Sequence, residues 1–525
     1  MPYYKRFLEG RVLDSLALMP IVFLNGPRQA GKSTLARHLA ASKFDAEYTT
    51  FDESGAFSAA SADPESFLRG FAKPAIVDEA QMVPGVFRVL KLLADERRLN
   101  DKAHANGRFL LTGSANVLAL PGLADALVGR MAVLTLYPLS AGEVFRHGGP
   151  VINGLFDQQI ASGSRRSNGG RHALAEVVAR ATFPEIAGMR SADAALWFNG
   201  YITGLLQRDV RQLAEIEKIS ALPNIMNVLA ARAGGLLNDA DCARDAKLNA
   251  MTYRRYRTLL QQLFLVALVP PWYRNIGKRL VKSPKLYFTD TALLCHQLGV
   301  DLSGLPKRNP GLYGRVAENF VASELAKQLA MLPDGTLYHF RTQEGREVDF
   351  VIERRSGALL GIEVKAGNTV VAEDFSGLKT LKELAGNDFV RGIVLYNGSD
   401  TISFGDDMLA MPLDALWTLN MDMTADEDIG EPLRFQGYVF WANYGDHTKV
   451  RCLITKEIMD DYFHDRASER QAVAAIRKHW DTVWPIFQRK IADGQIENVS
   501  ERRQSVRQVT LQAQDFGYQD FRKSA

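Results

Sequence analysis

The chain has 525 residues, 46% of them hydrophobic and 23% charged, a composition typical of a globular protein of roughly three or four domains. Its net charge of +3 neither requires nor excludes a nucleic-acid partner, and three widely spaced cysteines argue against a disulfide framework or a zinc site. No run of about 18 apolar residues and no signal peptide is visible, so we expect a cytoplasmic protein that does not contact membranes.

The first motif lies between a predicted strand, residues 21–26, and a predicted helix, residues 32–41. The segment between them, "GPRQAGKS", has the P-loop pattern, in which backbone N–H groups and a helix N-terminus hold phosphates. Lys32 is assigned to the β- and γ-phosphates and the Ser33 hydroxyl to Mg²⁺. The residues predicted to bind ATP in this segment are Gly26, Pro27, Arg28, Gln29, Ala30, Gly31, Lys32, Ser33 and Thr34.

The other parts that a P-loop needs follow in chain order. The apolar run "PAIVDEAQ" ends in Asp78, which is predicted to hold Mg²⁺ through water, and in Glu79, which would polarise the attacking water. The next buried-strand pattern leads to Ser114, the predicted sensor of the γ-phosphate. Arg130 precedes a further apolar run and is predicted to act as an arginine finger on a neighbouring subunit. A surface arginine or a structural ion pair is the equal alternative.

Four stretches, "GPRQAGKST", "IVDEAQMVP", "LLTGSAN" and "GRMAVLTLYPLS", together resemble the AAA-type P-loop ATPase module of a large bacterial and archaeal family. The resemblance extends to about residue 420. It implies a homo-oligomer, for which a hexamer is one candidate, in which Arg130 completes the site of a neighbour. Residues 152–172 depart from the family and are rich in Gly, Ser, Asn and Arg, which predicts a mobile loop.

Residues 220–293 predict helices followed by a basic hairpin. The helix predicted over residues 249–269 is amphipathic and carries arginines in its first turns. The predicted hairpin carries four basic residues, Lys278, Arg279, Lys282 and Lys285. A helix-turn-helix with a basic wing is a DNA-binding shape, and the family resemblance also implies a winged helix here. A lid or packing module is the equal alternative.

The segment "GREVDFVIERRSGALLGIEVKAG", residues 345–367, predicts a β-hairpin whose charged side chains share one face. A loop at residues 354–358 would place Asp349 opposite Glu363, with Cβ atoms about 5 Å apart. Two carboxylates this close require a cation, and Mg²⁺ or Mn²⁺ is the natural candidate. Lys365 lies one pleat further, where it would activate a metal-bound water or stabilise charge on a phosphate.

This order of Asp349, a turn, Glu363 and Lys365 resembles the signature of PD-(D/E)xK nucleases, and Glu318 matches the acidic residue on that family's helix. The predicted elements from 314 to 398 also follow the α-β-β-β-α-β order of the nuclease core. The resemblance implies that these four residues form a catalytic site for metal-dependent cleavage of nucleic acid. A solvated hairpin face or an inactive nuclease core is the alternative.

The tail beyond residue 425 predicts a separate module that serves interaction or regulation. An acidic linker, "TADEDIGEP", is followed by a predicted hairpin, a helix over 468–494 and a last strand near 508–518. Three histidines in this region have a spacing unlike that of metal ligands; they are His447, His464 and His479.

The sequence thus predicts an α/β multidomain protein that binds ATP with Mg²⁺. The predicted parts are an AAA-type P-loop ATPase (1–150), a helical linker or lid with a mobile loop (151–219), a winged helix (220–300), a PD-(D/E)xK nuclease-like domain (301–424) and a small α+β accessory domain (425–525). The favoured function is ATP-regulated binding and cleavage of nucleic acid, DNA rather than RNA, in repair or defence. The alternatives are an ATP-switched binding machine with an inactive nuclease core and the remodelling of a protein partner.

Overall fold

A computed structural model describes most of the chain. The described residues are 3–101, 105–114, 129–145, 149–156, 173–213, 219–275, 277, 279, 282–332, 334–418, 424–429, 437–444, 448–455, 483–484, 486–487, 490, 497–501 and 504–511. The chain forms two compact units, one of residues 1–150 and 164–416 and one of residues 151–163 and 417–525. The finer division into five domains stays a prediction.

The first unit begins with a five-stranded parallel sheet. Its strands are β1 Ile21–Asn25, β2 Glu47–Thr50, β3 Ala75–Asp78, β4 Phe109–Thr112 and β5 Met131–Thr135, in the order β2-β3-β4-β1-β5. The helices of this region are Leu8–Leu18, Lys32–Ser42, Ser54–Ala62, Pro64–Arg69, Gly85–Asn100 and Ala141–Val144.

Strand β1 explains how this sheet is built. All five of its residues are buried, and alternate side chains enter two different cores. Phe23 packs with residues of the helix Gly85–Asn100, whereas Val22 packs with the helices Leu8–Leu18 and Lys32–Ser42. A parallel sheet covered on both faces requires such continuous apolar strands. Because all the strands run in the same direction, the carboxyl ends of β1 and β3 lie at the same edge of the sheet.

A helical region with a small antiparallel pair follows. Its helices are Leu174–Arg180, Ser191–Leu213, Leu222–Ala231, Asp239–Asp245, Ala250–Gln262, Thr291–Leu298 and Leu305–Arg308. Strands β6 Val266–Val269 and β7 Lys285–Phe288 pair with each other. Helices followed by an antiparallel pair agree with the predicted order of elements, but β6 lies in the segment predicted to be the end of a helix, and the described residues between 272 and 282 form no strand. The winged helix itself stays a prediction.

The basic groups of this hairpin do not form the exposed surface that the sequence predicted. The guanidinium of Arg279 forms a two-pronged ion pair with Glu353 of the following sheet, with Nη2 at 3.0 Å from Oε1. Lys285 is 2% exposed and also points into that sheet, whereas Lys282 is exposed. Lys278 lies outside the described residues. The expectation that Arg279 and Lys285 would contact phosphates is therefore wrong for this arrangement, because carboxylates of the same chain hold both cations.

A six-stranded mixed sheet completes the first unit. Its strands are β8 Gly335–Arg341, β9 Glu347–Arg354, β10 Leu359–Lys365, β11 Phe389–Tyr396, β12 Ile402–Ser403 and β13 Met408–Pro412, in the order β12-β13-β11-β10-β9-β8. The helices here are Pro310–Leu329, Ser376–Ala385 and Ala415–Thr418. The order of elements from 310 to 396 is the predicted α-β-β-β-α-β.

The predicted hairpin register is correct. Ile362 pairs with Phe350, so the next position in the antiparallel ladder sets Glu363 opposite Asp349. Two contacts agree with this register: the Asp349 N–H donates to Glu363 Oε2 at 3.3 Å, and the Val364 N–H donates to Asp349 Oδ2 at 3.0 Å.

The predicted strict alternation of faces along β9 is wrong, because the strand contains a bulge. The register against β8 shifts between Tyr338 and Phe340, which face Val351 and Val348. Both of these valines consequently enter one core. Asp349 and Phe350, between them, both contact side chains of β7. Asp349 is only 8% exposed, so the alternative of a solvated hairpin face is wrong as well.

The helix Pro310–Leu329 packs on β7 and on the six-stranded sheet, and it also contacts the segment that follows the ATPase sheet. Glu324 Oε2 accepts the Ala141 N–H at 2.9 Å, next to the end of the ATPase sheet. Lys327 Nζ donates to the carbonyls of Leu139 at 2.9 Å and Ala181 at 3.2 Å, and it pairs with Glu324 at 2.9 Å. Its other end carries Glu318, one of the predicted site residues.

The second unit contains a five-stranded sheet and the helix Ile152–Phe156. The strands are β14 Thr424–Ile429, β15 Gly437–Tyr444, β16 Thr448–Thr455, β17 Glu497–Glu501 and β18 Gln504–Leu511, in the order β14-β15-β16-β18-β17. The predicted hairpin is confirmed as β15 and β16. The acidic segment expected to be a linker is instead largely the edge strand β14.

Several further expectations for this region fall on residues that the structure does not describe. They are most of the loop 152–172, most of the helix 468–494, and His447, His464 and His479. Within the described ranges, no helix combines the length and apolar character needed to span a membrane.

Candidate functional site

The P-loop positions lie in one tight turn after β1. Gly26 has a φ of 140°, and a Cβ on it would lie 2.2 Å from the Leu136 carbonyl oxygen, so only glycine fits. Gly31, with a φ of 94°, is the N-cap of the helix Lys32–Ser42. The turn therefore points its backbone toward the start of an 11-residue helix, where N–H groups have no partner within the helix.

Lys32, Ser33 and Asp78 meet at the edge where β1 and β3 end. Lys32 is 5% exposed, and its ammonium donates to the carbonyls of Gly26 at 3.0 Å and Pro27 at 2.8 Å. The Ser33 hydroxyl donates to Asp78 Oδ1 at 3.0 Å. The structure thus brings together the hydroxyl and the carboxylate that the sequence assigned to Mg²⁺.

Glu79 follows Asp78 in a backbone conformation that is unusual for a non-glycine residue, with a φ of 56°. Such strain persists where the surroundings enforce it, often at functional sites. The Glu79 N–H donates to Thr112 Oγ1 at 3.2 Å, and its carboxylate accepts a hydrogen bond from Gln81 Nε2. Gln81 also donates to Ser114 Oγ at 3.3 Å, so the predicted water-polarising residue and the predicted sensor share one partner.

Two residues that the sequence did not single out orient Asp78. Thr112, at the end of β4, donates its hydroxyl to Asp78 Oδ1, and Tyr48 on β2 donates to Oδ2 at 2.7 Å. Burial, together with the hydrogen bond to Asp78, raises the pKa of Tyr48 to about 12. Neither residue belongs to a local pattern, because the sheet order alone brings their strands to β3.

Arg6 supports the P-loop from the N-terminal segment. It is 5% exposed and donates Nη1 to the Ala30 carbonyl at 2.7 Å and Nη2 to the Tyr137 carbonyl at 2.6 Å. Its Nε pairs with Glu143 Oε1 at 3.0 Å. The guanidinium of Arg6 thereby links the P-loop to the segment after β5.

These residues fit ATP and Mg²⁺. The glycine turn with its helix N-terminus suits phosphate oxygens, and the Ser33 and Asp78 oxygens are the hard ligands that Mg²⁺ prefers. ATP with its metal supplies a γ-phosphoryl group open to attack by water. Lys32 would neutralise charge on the phosphates. Glu79 would accept a proton from the attacking water after its carboxylate has released the hydrogen bond from Gln81.

Arg130 lies at the opposite edge of the sheet. Its carbonyl accepts the Ile21 N–H at 3.3 Å, at the start of β1, whereas the P-loop follows the end of that strand. Five residues of strand span about 16 Å, so Arg130 cannot reach the nucleotide of its own subunit. Its guanidinium binds Asp95 through Nε at 2.6 Å and Nη2 at 3.0 Å and lowers the pKa of that carboxyl. A role as a finger on a neighbouring subunit stays a prediction.

A second cluster of charged residues lies between β7, β9 and the helix Pro310–Leu329. Lys285 Nζ is 2.9 Å from Glu318 Oε1, 2.6 Å from Glu347 Oε1 and 2.9 Å from Asp349 Oδ1. Tyr287 also donates to Glu318 Oε1 at 2.6 Å. Lys285 was predicted to lie on the basic wing, and no sequence motif indicated a role for Glu347 or Tyr287.

Glu363 and Lys365 adjoin this cluster, so the four predicted nuclease-like residues do converge. Lys365 Nζ donates to Glu363 Oε1 at 3.0 Å and lies 3.7 Å from Asp374 Oδ1. Glu363 in turn accepts the Asp349 N–H. Lys365 therefore pairs with the carboxylate of its own motif, while a different lysine pairs with Asp349 and Glu318.

Burial and repulsion by Asp349 make the carboxyl groups of Glu318 and Glu363 hard to ionise, whereas Lys285 lowers the pKa of Glu347 against the effect of its burial. Burial and then the charge of Asp349 raise the pKa of Glu318 to about 7 and that of Glu363 to about 8. Burial alone would lower the pKa of Lys285, but attraction by Asp349, Glu318 and Glu347 outweighs it and raises that pKa. The cluster thus depends on its lysine for charge balance.

A divalent metal does not fit this arrangement. The ammonium of Lys285 lies among the oxygens of Glu318, Glu347 and Asp349. Asp349 and Glu363, between which the cation was predicted, each accept a backbone N–H from the facing strand. In the part of the chain that the structure describes, no group of three or more His, Cys, Asp and Glu side chains is arranged to hold a metal ion.

Comparison with known families agrees with the nucleotide site. A family described as an AAA domain matches residues 19–145. Two families described as domains of unknown function, DUF8612 and DUF4143, match residues 171–303 and 313–416. The P-loop, the Asp78 site and the parallel sheet all fall within the AAA match.

Two curated mycobacterial proteins align with most of the chain. "Uncharacterized protein Rv2008c" of Mycobacterium tuberculosis and "Uncharacterized protein Mb2031c" of Mycobacterium bovis are each 33% identical over 418 residues, which is 79% of this chain and 85% of theirs.

Among solved structures, a Walker-type ATPase of Pyrococcus abyssi is 14% identical with a TM-score of 0.33, covering 56% of this chain and 96% of its own. CDC6P of Pyrobaculum aerophilum is 13% identical with a TM-score of 0.22, covering 57% and 96%. TM-scores this low do not establish a common fold. The sequence identity to the mycobacterial proteins does establish kinship: the chain belongs to their family, and its N-terminal domain is an AAA-type P-loop ATPase domain.

Proposed function

We propose that the protein hydrolyses ATP at the edge where β1 and β3 end and that this turnover drives or regulates its other domains. One observation supports the proposal above all: Ser33 donates to Asp78, Thr112 contacts both Asp78 and the Glu79 N–H, and the Lys32 ammonium binds the carbonyls of the adjoining P-loop turn. In this role Lys32 neutralises phosphate charge, Ser33 and Asp78 hold Mg²⁺, and Glu79 accepts the proton of the attacking water.

Phosphate release and nucleotide binding by single variants test this proposal. Lys32→Ala should lose ATP binding, and Glu79→Gln should keep ATP binding but release phosphate at least about 100-fold more slowly, as expected when a catalytic contact is removed. Glu383→Gln, an exposed carboxylate on a distant helix, is the matched control. Phosphate release by Glu79→Gln at the wild-type rate would contradict the assignment of Glu79.

A second proposal concerns nucleic acid. The convergence of Glu318, Asp349, Glu363 and Lys365 on a sheet with the α-β-β-β-α-β order supports a nuclease-like domain. Its substrate or ligand would be DNA, or RNA as the less favoured choice, in repair or defence. Metal-dependent cleavage and binding without cleavage are both forms of this proposal, and the position of Lys285 favours binding without cleavage.

The two forms differ in a cleavage assay. We would incubate the protein with linear, circular and branched DNA and with RNA, in Mg²⁺ or Mn²⁺, with and without ATP. Cleavage that disappears in Asp349→Ala would favour the nuclease. If no substrate is cut, Asp349→Ala should instead leave binding intact or tighten it, because it removes a negative charge that repels phosphates. Absence of both cleavage and binding would contradict the proposal.

A further inference from the structure

We infer that Lys285 is the resident cation of the carboxylate cluster and that the cluster is an ion lock between the β6–β7 hairpin and the six-stranded sheet rather than a divalent-metal site. The inference rests on the second proposal only in that it concerns the same carboxylates. It does not depend on ATP hydrolysis, which takes place in another part of the chain.

The hydrogen-bonding capacity of the Lys285 ammonium is fully used. A lysine ammonium has three N–H donors and no acceptor. Lys285 Nζ has three carboxylate oxygens within 2.9 Å, one each from Glu318, Glu347 and Asp349. Every donor therefore has an ionised or hydrogen-bonding partner, and the three acidic groups share a single central charge.

The backbone of Lys285 is fixed on both sides. Within its strand it pairs with Val269 of β6, and on the other side it forms a bridge with Leu236. Phe288 is clamped by Asn319, which accepts its N–H at 2.8 Å and donates to its carbonyl at 3.1 Å. The ammonium therefore cannot leave the cluster by a movement of β7 without breaking these contacts.

Tyr287 adds to the same contact surface. Two residues after Lys285 in the strand, it points to the same side, donates to Glu318 and places its ring 5.5 Å from that of Phe350. The bulge in β9 makes this possible, because it directs both Asp349 and Phe350 toward β7. The unusual backbone of β9 is thus explained by the need to present a carboxylate and an aromatic ring to one neighbouring strand.

A second ion pair ties the same hairpin to the same sheet. Arg279 binds Glu353 of β9, lies over the ring of Tyr338 at 4.8 Å, and shares the carboxylate with the indole N–H of Trp272, which donates at 3.2 Å. Cations of the hairpin thus meet carboxylates of β9 at two places. A metal site would explain only the carboxylates around Lys285. An attachment of the hairpin to the six-stranded sheet explains both that cluster and the Arg279–Glu353 ion pair.

Metal titration of the wild-type protein is the first test. In nucleotide-free conditions, calorimetric titration with MnCl₂ should give the same binding isotherm for the wild type and for Asp349→Asn, because Lys285 already occupies the cluster. Mn²⁺ binding by the wild type that Asp349→Asn abolishes would overturn the inference. This test needs no Lys285 variant, so it stands even if such a variant fails to fold.

A double-mutant cycle on thermal unfolding is the second test. Lys285→Met should lower Tm by several degrees, because it leaves three carboxylates without their cation, and Lys282→Met, an exposed neighbour, should leave Tm unchanged. Asp349→Asn combined with Lys285→Met should cost less than the sum of the two single changes. Additive costs would overturn the lock. Phosphate release by the wild type, measured alongside, tests only the first proposed function.

Discussion

At the level of single residues, the sequence identified the groups that lie in contiguous motifs. Lys32, Ser33, Asp78 and Glu79 could be predicted because a P-loop and the end of a buried strand are local patterns. Arg6 and Lys285 could not, because their partners are distant in the chain: Arg6 contacts Ala30 and Tyr137, and Lys285 contacts residues of β9. Only the folded chain brings these groups together.

Substitution of Arg6 tests whether a residue outside the P-loop motif stabilises the loop. Arg6→Met should weaken ATP binding by about 10-fold and lower Tm, since the change removes three hydrogen bonds and leaves the buried carboxylate of Glu143 without its cation. Lys5→Met, an exposed neighbour, is the control. Fluorescent-nucleotide titration measures the affinity, and an unchanged affinity in Arg6→Met would show that the loop holds its shape without this residue.

His339 predicts a dependence of stability on acid. Burial and the nearby charge of Lys285 lower the pKa of His339 to about 4, and its Nδ1 has no hydrogen-bond partner among the described residues. A histidine with a depressed folded-state pKa contributes stability above its unfolded-state pKa, about 6.5, and loses it as the pH falls toward 4.

The expected loss over that range is at most about 3 kcal/mol, given 1.36 kcal/mol per pKa unit. His339→Gln keeps a donor for the Ser283 carbonyl but does not titrate, so its denaturant-unfolding free energy should fall less between pH 6.5 and 4 than that of the wild type. Parallel curves for the two proteins would contradict the assignment of this acid sensitivity to His339.

At the level of elements, the sequence predicted the order of the elements and the pairing of the strands better than the sheet face to which each side chain points. The β9–β10 register followed from the length of the turn, and it placed Asp349 opposite Glu363 as observed. The face pattern failed at the bulge because a bulge adds a residue to one strand, and the reason for it lies in the neighbouring β7, outside the hairpin. The edge strand β14 was missed because its acidic composition resembles that of a linker.

The packing of the helix Ser376–Ala385 on β9 depends on one glycine. A Cβ on Gly377 would lie 1.8 Å from the Glu347 carbonyl oxygen, so Gly377→Ala should push the helix away and lower Tm. Gly314→Ala, in a helix position with nothing within 4 Å of the added carbon, should be neutral or stabilise by up to about 1 kcal/mol. Equal Tm values for the two variants would show that the helix can shift without cost.

At the level of the whole molecule, the helix Pro310–Leu329 connects the six-stranded sheet of the first unit with the segment that follows the ATPase sheet. Glu324 and Lys327 join this helix to the end of the ATPase sheet, and both are buried. The ATPase sheet and the six-stranded sheet should therefore unfold together. ATP analogue binding at the P-loop should raise the Tm of both.

Breaking this buried pair should separate the two parts. Lys327→Met leaves the buried carboxyl of Glu324 without its cation, so calorimetry should show a lower Tm and two transitions, of which ATP analogue shifts only one. Glu324→Gln combined with Lys327→Met restores neutrality and should recover part of the loss. A single ligand-sensitive transition in Lys327→Met would contradict the view that this pair couples the two sheets.

The place of Lys285 in the chain limits how the protein can be divided. A cut at the predicted boundary near residue 300 would separate the acidic cluster from the charge that balances it. The part after the cut would then carry three acidic groups, Glu318 on its helix and Glu347 and Asp349 on β9, around an empty centre. If recombination exchanged this sheet between relatives, the product would fold stably only when the preceding hairpin was exchanged with it. The hairpin and the sheet should therefore be inherited together.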